Sequence, residues 1–143
     1  MAEALAEAEK AEREAEVPVG AVLIDAEGTR LAAAYNRPRT LQDPTAHAEI
    51  LALRQAARRT GNYRLPGTTL VVTVEPCLMC AGAILQARVA RVVFGAFDPK
   101  AGAFGSLYDL SGDGRLNHRL QVTGGIRETE CRKLLQDFFL ERR

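Results

Sequence analysis

Residues 70–94 read LVVTVEPCLMCAGAILQARVARVVF, and this stretch decides the fold. Residues 70–74 form a continuous apolar and β-branched run, typical of a strand buried on both faces. Residues 78–87 predict a helix, and residues 91–94 predict a second buried strand. A strand, a helix and a strand within 25 residues form a βαβ unit, with parallel strands and a right-handed crossover.

The chain on either side of this unit predicts further strands and helices. Apolar runs at 19–24 and 30–35 flank a turn and predict a β-hairpin. A helix is expected to open at Asp43-Pro44-Thr45 and to stop at Gly61-Asn62. The glycine-rich residues 95–117 predict loops with room for one short helix. The remaining expected elements are a helix over 1–16, a short strand near 120–123 and an amphipathic helix over 128–143.

Together these elements predict an α/β fold. We expect a central mixed sheet of about five strands with helices on both faces, a three-layer α/β/α sandwich. The N-terminal helix has Leu5 as its only large apolar residue. It is therefore expected to bury little and to leave a sheet face uncovered, which predicts a homodimer.

Length and composition indicate a single globular domain over residues 1–143. The chain is 47% hydrophobic and 26% charged, and its 143 residues suffice for a core of their own. No stretch approaches the roughly 20 apolar residues that a membrane-spanning helix needs. The acidic N-terminal residues do not have the pattern of a signal peptide. We therefore expect no membrane partner and a cytoplasmic location.

Charge is unevenly distributed along the chain, although its net value is +1. Residues 1–16 hold six glutamates against one lysine and one arginine, a balance of −4. Residues 17–143 hold 17 basic and 12 acidic side chains, or +5, and 16 of the 19 basic residues in the chain are arginine. Arginine pairs bidentately with phosphate. This distribution is compatible with a nucleic-acid partner, but it is weaker than the basic stripe of a dedicated binder.

Two short motifs bring together residues that bind metals. His47-Ala48-Glu49 supplies an imidazole and a carboxylate, and Pro76-Cys77-Leu-Met-Cys80 supplies two thiols. A catalytic Zn²⁺ takes three protein ligands and keeps a fourth position for the water that it activates. His47, Cys77 and Cys80 fill three positions, which leaves Glu49 to carry protons.

The predicted elements place both motifs at helix starts. Ligands of open α/β sheets bind beyond the carboxyl ends of the strands, where Cys77 and Cys80 follow the strand at 70–74. An i,i+3 step in the first helical turn brings both sulfurs to one side. His47 lies in the opening turn of another helix, so the two helix starts can converge on one metal. The spacing of His47 and Glu49 alone does not place both on one face.

Two other interpretations of the cysteines stay open at this point. A Cys-x-x-Cys pair can be a thiol–disulfide redox centre, although the upstream His-x-Glu motif argues against it. A structural zinc site would need a fourth protein ligand, for which only His118 and Cys131 are available. Cys131 falls in an apolar-periodic helix and is expected to be a buried, unreactive thiol.

The two motifs together resemble the zinc-dependent cytidine and deoxycytidylate deaminase superfamily. Longer segments resemble its bacterial tRNA-specific adenosine deaminases, from about residue 17 to the C-terminus. These segments are VPVGAV (17–22), YNRP (35–38), DPTAHAEI (43–50), NYRL (62–65), EPCLMCAGAI (75–84), RVVFGAFDPKAGAFGSL (91–107), LNHR (116–119) and DFF (137–139).

The resemblance implies a cytidine deaminase-like fold, one Zn²⁺ per subunit on His47, Cys77 and Cys80, and Glu49 as the catalytic proton carrier. It implies hydrolysis at C6 of a flipped-out adenine, which releases ammonia and leaves inosine. The implied substrate is the wobble adenosine in the anticodon stem-loop of an arginine tRNA, and the implied assembly is a homodimer whose site draws on both subunits.

The same resemblance assigns residues to tRNA binding. Asn36 would position the target nucleoside, and the Ala48 backbone would hydrogen-bond the base. Asp98 and Lys100 would touch the RNA chain beside the target. Contacts with the anticodon loop would come from the C-terminal residues Phe139, Arg142 and Arg143. Phe138 and Phe139 point about 100° apart on a helix, so at least one is expected in the core.

Other functions remain compatible with the motifs. The same zinc residues would serve a deaminase of a free base or nucleoside, such as guanine or cytosine, although segment 95–107 and the DFF tail favour tRNA. A non-catalytic, zinc-stabilised RNA-binding module is a third possibility, in which Glu49 would be dispensable. Phe97 stands where a basic residue is common in the family, which would remove one phosphate contact.

Overall fold

A computed structural model describes residues 1–142 of the protein. Its strands are β1 (Gly20–Ile24), β2 (Arg30–Tyr35), β3 (Thr69–Val74), β4 (Arg91–Ala96) and β5 (Gln121–Thr123). Its helices are α1 (Ala2–Arg13), α2 (Pro38–Leu41), α3 (Ala48–Thr60), α4 (Leu78–Gln86) and α5 (Glu128–Glu141). The strands form one sheet in the order β2-β1-β3-β4-β5.

The predicted βαβ unit is confirmed. β3 and β4 pair in parallel, with Leu70 opposite Val92, and α4 connects them. β1 and β2 form the predicted antiparallel hairpin, with Val22 opposite Ala33. β1 pairs with β3 antiparallel and β5 pairs with β4 in parallel, so the sheet is mixed. The five-stranded mixed sheet with helices packed around it is the predicted cytidine deaminase-like architecture.

Helices cover both faces of the sheet. The consecutive β1 residues Ala21, Val22 and Leu23 are all buried, although neighbouring side chains on a strand point to opposite faces. α3 packs against β1, β2 and α4. α1 packs against β1 and β2, while α5 packs against β4 and β3.

The N-terminal helix buries more of its surface than expected. α1 packs through Ala4, Ala8 and Ala11, and Leu5 is only half-buried. Small side chains let this helix lie close to β1, where a Cβ on Gly20 would lie only 2.5 Å from the backbone nitrogen of Ala8. The sheet face expected to be open is therefore covered, and the argument from an uncovered sheet to a dimer is wrong. The dimer itself stays a prediction.

Three local differences separate the structure from the sequence-based expectation. α3 begins at Ala48, because Asp43 accepts the Thr45 N–H at 2.8 Å and holds the preceding residues in a turn. The four-residue helix α2 was not predicted. Between β4 and β5, within the described chain, there are turns and isolated bridges instead of a short helix. No helix within residues 1–142 has the length and apolar character needed to cross a membrane.

Candidate metal centre and active site

The starts of α3 and α4 place the metal-binding side chains. His47 is the N-cap residue of α3, and Cys77, which follows β3, is the N-cap residue of α4. Both have extended backbone conformations, with φ and ψ of −72° and 154° for His47 and −74° and 175° for Cys77. Because neither residue has helical backbone angles, their side chains can extend beyond the start of each helix. Cys80 lies one turn into α4 and is buried.

The three predicted ligands converge. His47 Nδ1 lies 3.7 Å from Cys77 Sγ and 3.5 Å from Cys80 Sγ. All three ligand atoms lie within 4.8 Å of one another. A tetrahedral Zn²⁺ with ordinary Zn–N and Zn–S bonds separates nitrogen from sulfur by roughly 3.6 Å. The donor set and its spacing therefore fit one Zn²⁺.

The residues considered for a fourth ligand are engaged elsewhere. His118 Nε2 lies 2.8 Å from the Val89 carbonyl oxygen. Cys131 is buried on α5, where its side chain fills the space that a Cβ on Gly95 would need. Among residues 1–142, His47, Cys77 and Cys80 are the one group of three or more potential ligands close enough to share a metal. Three protein ligands and an open position are typical of a catalytic zinc site.

Electrostatics prepare the thiols for a metal. A hydrogen bond from Cys80, helped by His47 and by the Cys80 backbone N–H, lowers the pKa of Cys77 to about 4 against the opposing effect of burial. The hydrogen bond to Cys77, together with burial, raises the pKa of Cys80. The hydrogen bond with Cys77 raises the pKa of His47. The pair therefore favours a thiolate at Cys77, and a metal would displace the proton of Cys80.

Glu49 lies beside this group of ligands. Its side chain is 2% exposed, and Oε2 lies 3.6 Å from Cys80 Sγ. Burial raises the pKa of Glu49, more than the nearby His47 lowers it. A carboxyl group with a raised pKa takes up a proton more readily near neutral pH. The arrangement thus pairs a three-ligand site with an adjacent proton acceptor.

Asn36 braces the first turn of α3 from the end of β2. Its Oδ1 accepts the Ala48 N–H at 2.8 Å, and both residues are buried. The Asn36 oxygen is occupied by this donor, and the NH₂ group of the same amide takes no part in the hydrogen bond. The Ala48 contact with a base stays a prediction, since its N–H donates to Asn36 here.

Asp98 and Lys100 lie in the loop that follows β4. Asp98 is half-buried, and its Oδ1 accepts the N–H groups of Lys100 at 3.0 Å and Ala101 at 3.3 Å. Lys100 is exposed. Phe97, just before them, packs edge-on against Phe94 with ring centroids 5.1 Å apart and is half exposed.

The end of α5 separates its two phenylalanines as expected. Phe138 is 4% exposed, whereas Phe139 is 52% exposed. The Arg142 guanidinium lies 3.5 Å from the centre of the Phe138 ring, and its Nη1 donates to the Phe138 carbonyl at 3.1 Å. Arg143, the last predicted RNA contact, lies outside the described residues.

Comparison with known proteins assigns the site to a family. The model of the cytidine and deoxycytidylate deaminase zinc-binding region matches residues 1–96, which contain all three ligands and Glu49. The tRNA-specific adenosine deaminase of Haemophilus influenzae is 51% identical over 140 residues, which cover 98% of this chain and 81% of that protein. The chain belongs to the tRNA-specific adenosine deaminases of this family. Membership favours the zinc interpretation of the Cys-x-x-Cys pair over the redox one.

Solved structures of deaminases agree with this assignment. One, from a study of A-to-I editing by tRNA:A34 deaminases at the wobble position, has a TM-score of 0.91 at 45% identity and covers 94% of this chain and 97% of its own. A guanine deaminase from Nitrosomonas europaea has a TM-score of 0.81 at 25% identity and covers 94% of this chain and 80% of its own. The deaminase fold is common to both, and the likeness is greater to the structure from the tRNA study.

One buried residue next to the metal ligands, Glu75, was not predicted from the sequence. It lies between β3 and Cys77, is 2% exposed, and accepts hydrogen bonds from the loop that carries Asp98. A charged residue directly between a buried strand and a metal ligand was the available signal, because a buried carboxylate requires partners. Those partners lie 23 or more positions away, so no local pattern named them.

Proposed function

We propose that this chain is a zinc-dependent deaminase that converts adenosine to inosine at the wobble position of a tRNA anticodon, with an arginine tRNA as substrate. The observation that carries the proposal is the buried carboxylate of Glu49 beside three convergent zinc ligands, in a chain of this deaminase family. Water and adenosine are the reactants, and inosine and ammonia are the products.

His47, Cys77 and Cys80 would hold the Zn²⁺, which when bound supplies the acidity that makes water reactive at neutral pH. Glu49 would relay the two protons of the attacking water, the first to the ring nitrogen of the purine and the second to the amino group, which departs as ammonia. Its burial supports this role, because a raised pKa lets one carboxyl group both accept and release a proton.

The surrounding residues hold the substrate. Asn36 has its oxygen committed to Ala48, so it offers its NH₂ group to the nucleoside. The target base must leave the stack of the anticodon loop to reach a buried site. Lys100 and Phe139 are exposed and can meet the RNA chain. Asp98 Oδ1 already accepts two backbone N–H groups, so we assign it to shaping its loop as well as to contacting RNA.

At the C-terminus, the two arginines have different support. Arg142 is tied back to Phe138 through its guanidinium, and this contact would be exchanged for RNA on binding. For Arg143 the proposal rests on the family resemblance alone.

We also propose that two copies assemble through an apolar cleft between α3 and α4. The cleft has a volume of about 490 Å³ and includes Ile50, Leu53, Met79 and Ala83. Both helices begin at the metal ligands, so a partner seated there would lie next to the site. This cleft replaces the uncovered sheet as the reason to expect a homodimer. A cytoplasmic location, where tRNA is modified, completes the proposal.

Deamination assays on tRNA and on free bases test the proposed function. The purified zinc-loaded chain is incubated with an arginine tRNA transcript bearing adenosine at the wobble position, with the same transcript bearing guanosine there, and with free guanine and cytosine. We expect inosine in the first transcript alone. Release of ammonia from free guanine, with no inosine in tRNA, would instead assign the chain to base deamination. Guanine is included because a guanine deaminase has a similar structure.

A further inference from the structure

Glu75 organises the loop of residues 98–106, which we call the substrate loop. Its Oε1 accepts the Asp98 N–H at 3.1 Å and the hydroxyl of Ser106. Its Oε2 accepts the N–H groups of Phe104 at 3.1 Å and Ser106 at 3.0 Å. One buried carboxylate therefore receives four hydrogen bonds from three positions of the loop.

The loop is shaped to receive a carboxylate. Every group that meets Glu75 is a donor, and an ionised carboxylate is a side chain that only accepts. Gly102 faces the same carboxylate, and a Cβ at this position would overlap it. The absence of a side chain at Gly102 therefore leaves the space that Glu75 occupies.

The same loop is joined to the metal ligands. Gly102 forms an antiparallel bridge with Cys77, and Ala103 donates its N–H to the Pro76 carbonyl at 2.9 Å. Glu75 and Cys77 thus lie two residues apart and hold one loop from the end of β3. Asp98 donates its N–H to Glu75, and its Oδ1 accepts the N–H of Lys100.

We infer that Glu75 is a positioning residue for the substrate: its carboxylate sets the substrate loop, with Asp98 and Lys100, at a fixed place relative to the metal ligands. It acts through the loop and does not touch RNA. The inference rests on the proposed function for its kinetic consequence, whereas the order of the loop can be measured without any substrate.

Glu75→Gln is the sharpest test, because it keeps the shape and replaces one acceptor oxygen by a donor NH₂ group. At the Oε2 position this group would face two backbone N–H donors, whereas at Oε1 the Ser106 hydroxyl can turn to accept. The amide therefore settles with NH₂ at Oε1 and leaves the Asp98 N–H without its acceptor. Because this buried donor is left without a hydrogen bond, the population of loop conformations detached at Asp98 should rise by about tenfold.

The experiment compares kinetics, metal content and amide exchange of the zinc-loaded protein. For Glu75→Gln we expect KM for the anticodon stem-loop to rise about tenfold, with kcat changed by less than about threefold. Zinc content should equal that of the wild type, and the absorption spectrum of the Co²⁺-substituted protein should be unchanged. Amide hydrogen exchange should accelerate at Asp98 while α4 keeps its protection.

Two matched variants support the interpretation. Ser106→Ala removes one donor and leaves the three N–H groups paired, so KM should rise only about twofold. Gly102→Ala keeps Glu75 in the sequence but adds a Cβ that pushes its carboxylate away from the loop, so this variant should reproduce the KM effect. It keeps the inference testable if Glu75→Gln does not fold.

Several outcomes would overturn the inference. Wild-type KM and wild-type loop exchange in Glu75→Gln would show that the carboxylate does not position the loop. Loss of zinc in parallel with activity would assign Glu75 to the metal centre instead. A wild-type chain that makes no inosine in tRNA would refute the proposed function, and amide exchange at Asp98 would still decide the role of Glu75 in the loop.

Discussion

His47 Nδ1 and Cys80 Sγ lie 3.5 Å apart, although 33 positions separate them in the chain. The contact joins the start of α3 to the first turn of α4, and Cys77 completes the group with its Sγ 3.7 Å from the same ring nitrogen. A metal bound there would link two helices that lie on the same side of the sheet. Metal binding and folding stability are therefore coupled at this point.

Zinc should stabilise the folded chain. At a free Zn²⁺ concentration 100 times its Kd, the gain in unfolding free energy is about 2.7 kcal/mol. We expect one zinc per chain by elemental analysis, a lower Tm after chelation, and loss of zinc in Cys80→Ala. Cys131→Ala is the matched control, because Cys131 is also buried but lies on α5 away from the ligands. Equal zinc loss in both variants would contradict the assignment.

Glu49→Gln should retain zinc and lose activity. The amide has the shape of the carboxyl group but cannot carry a proton, so kcat should fall by about 10²- to 10⁴-fold. Steady-state inosine formation and zinc content measure the two effects. Glu7→Gln serves as the control, since Glu7 is another buried glutamate, paired with Lys10 on α1. A Glu49→Gln variant with wild-type kcat would leave a non-catalytic zinc module as the better description.

The elements of this fold could be predicted where local patterns decide them. The β-branched run at 70–74 and the His-x-Glu and Cys-x-x-Cys motifs are local signals, so the sequence predicts the βαβ unit and the ligand set. Glu75 was missed because its partners at Phe104 and Ser106 become neighbours only in the folded chain. The alanine face of α1 was missed because burial there depends on close approach to a glycine in β1, which hydrophobic patterning does not report.

Asn36 variants should separate stability from substrate binding. Asn36→Asp keeps an acceptor for the Ala48 N–H and loses the NH₂ donor, so KM for the stem-loop should rise about tenfold with little change in Tm. Asn36→Ala removes both functions and should also lower the unfolding free energy by about 1–3 kcal/mol. Urea unfolding and steady-state kinetics measure the pair. If Asn36→Asp binds the stem-loop as the wild type does, the amide does not contact the nucleoside.

Glu16 should make stability depend on pH. Its buried carboxylate accepts the N–H and hydroxyl of Thr40 at 2.7 and 2.8 Å and the Arg39 N–H at 3.3 Å. Burial, the largest single influence, acts to raise the pKa of Glu16, but these hydrogen bonds together lower it below 4.5. A lowered pKa contributes stability that is present above the unfolded value and is lost as pH falls through the folded value.

The Glu16→Gln variant measures this contribution. It should be less stable than the wild type by about 1–3 kcal/mol at pH 7, and the difference should shrink below about pH 4.5. Urea unfolding at several pH values, with both proteins in the same zinc buffer, gives the difference directly. Glu27→Gln, at an exposed turn position, should show no such trend. A gap that widens on acidification would have the wrong sign for a lowered pKa.

The apolar cleft between α3 and α4 should hold the dimer together. Met79 lines it, is 37% exposed and lies one residue before the metal ligand Cys80. A lysine at this position would bury a charge in the proposed interface. The cost of several kcal/mol would weaken a dimer of ordinary affinity enough to dissociate it. We expect a dimer for the wild type and a monomer for Met79→Lys by light scattering at micromolar concentration. Leu107→Lys, on an exposed loop outside the cleft, should remain a dimer. A monomeric wild type would refute the assembly, and a dimeric Met79→Lys would place the interface elsewhere.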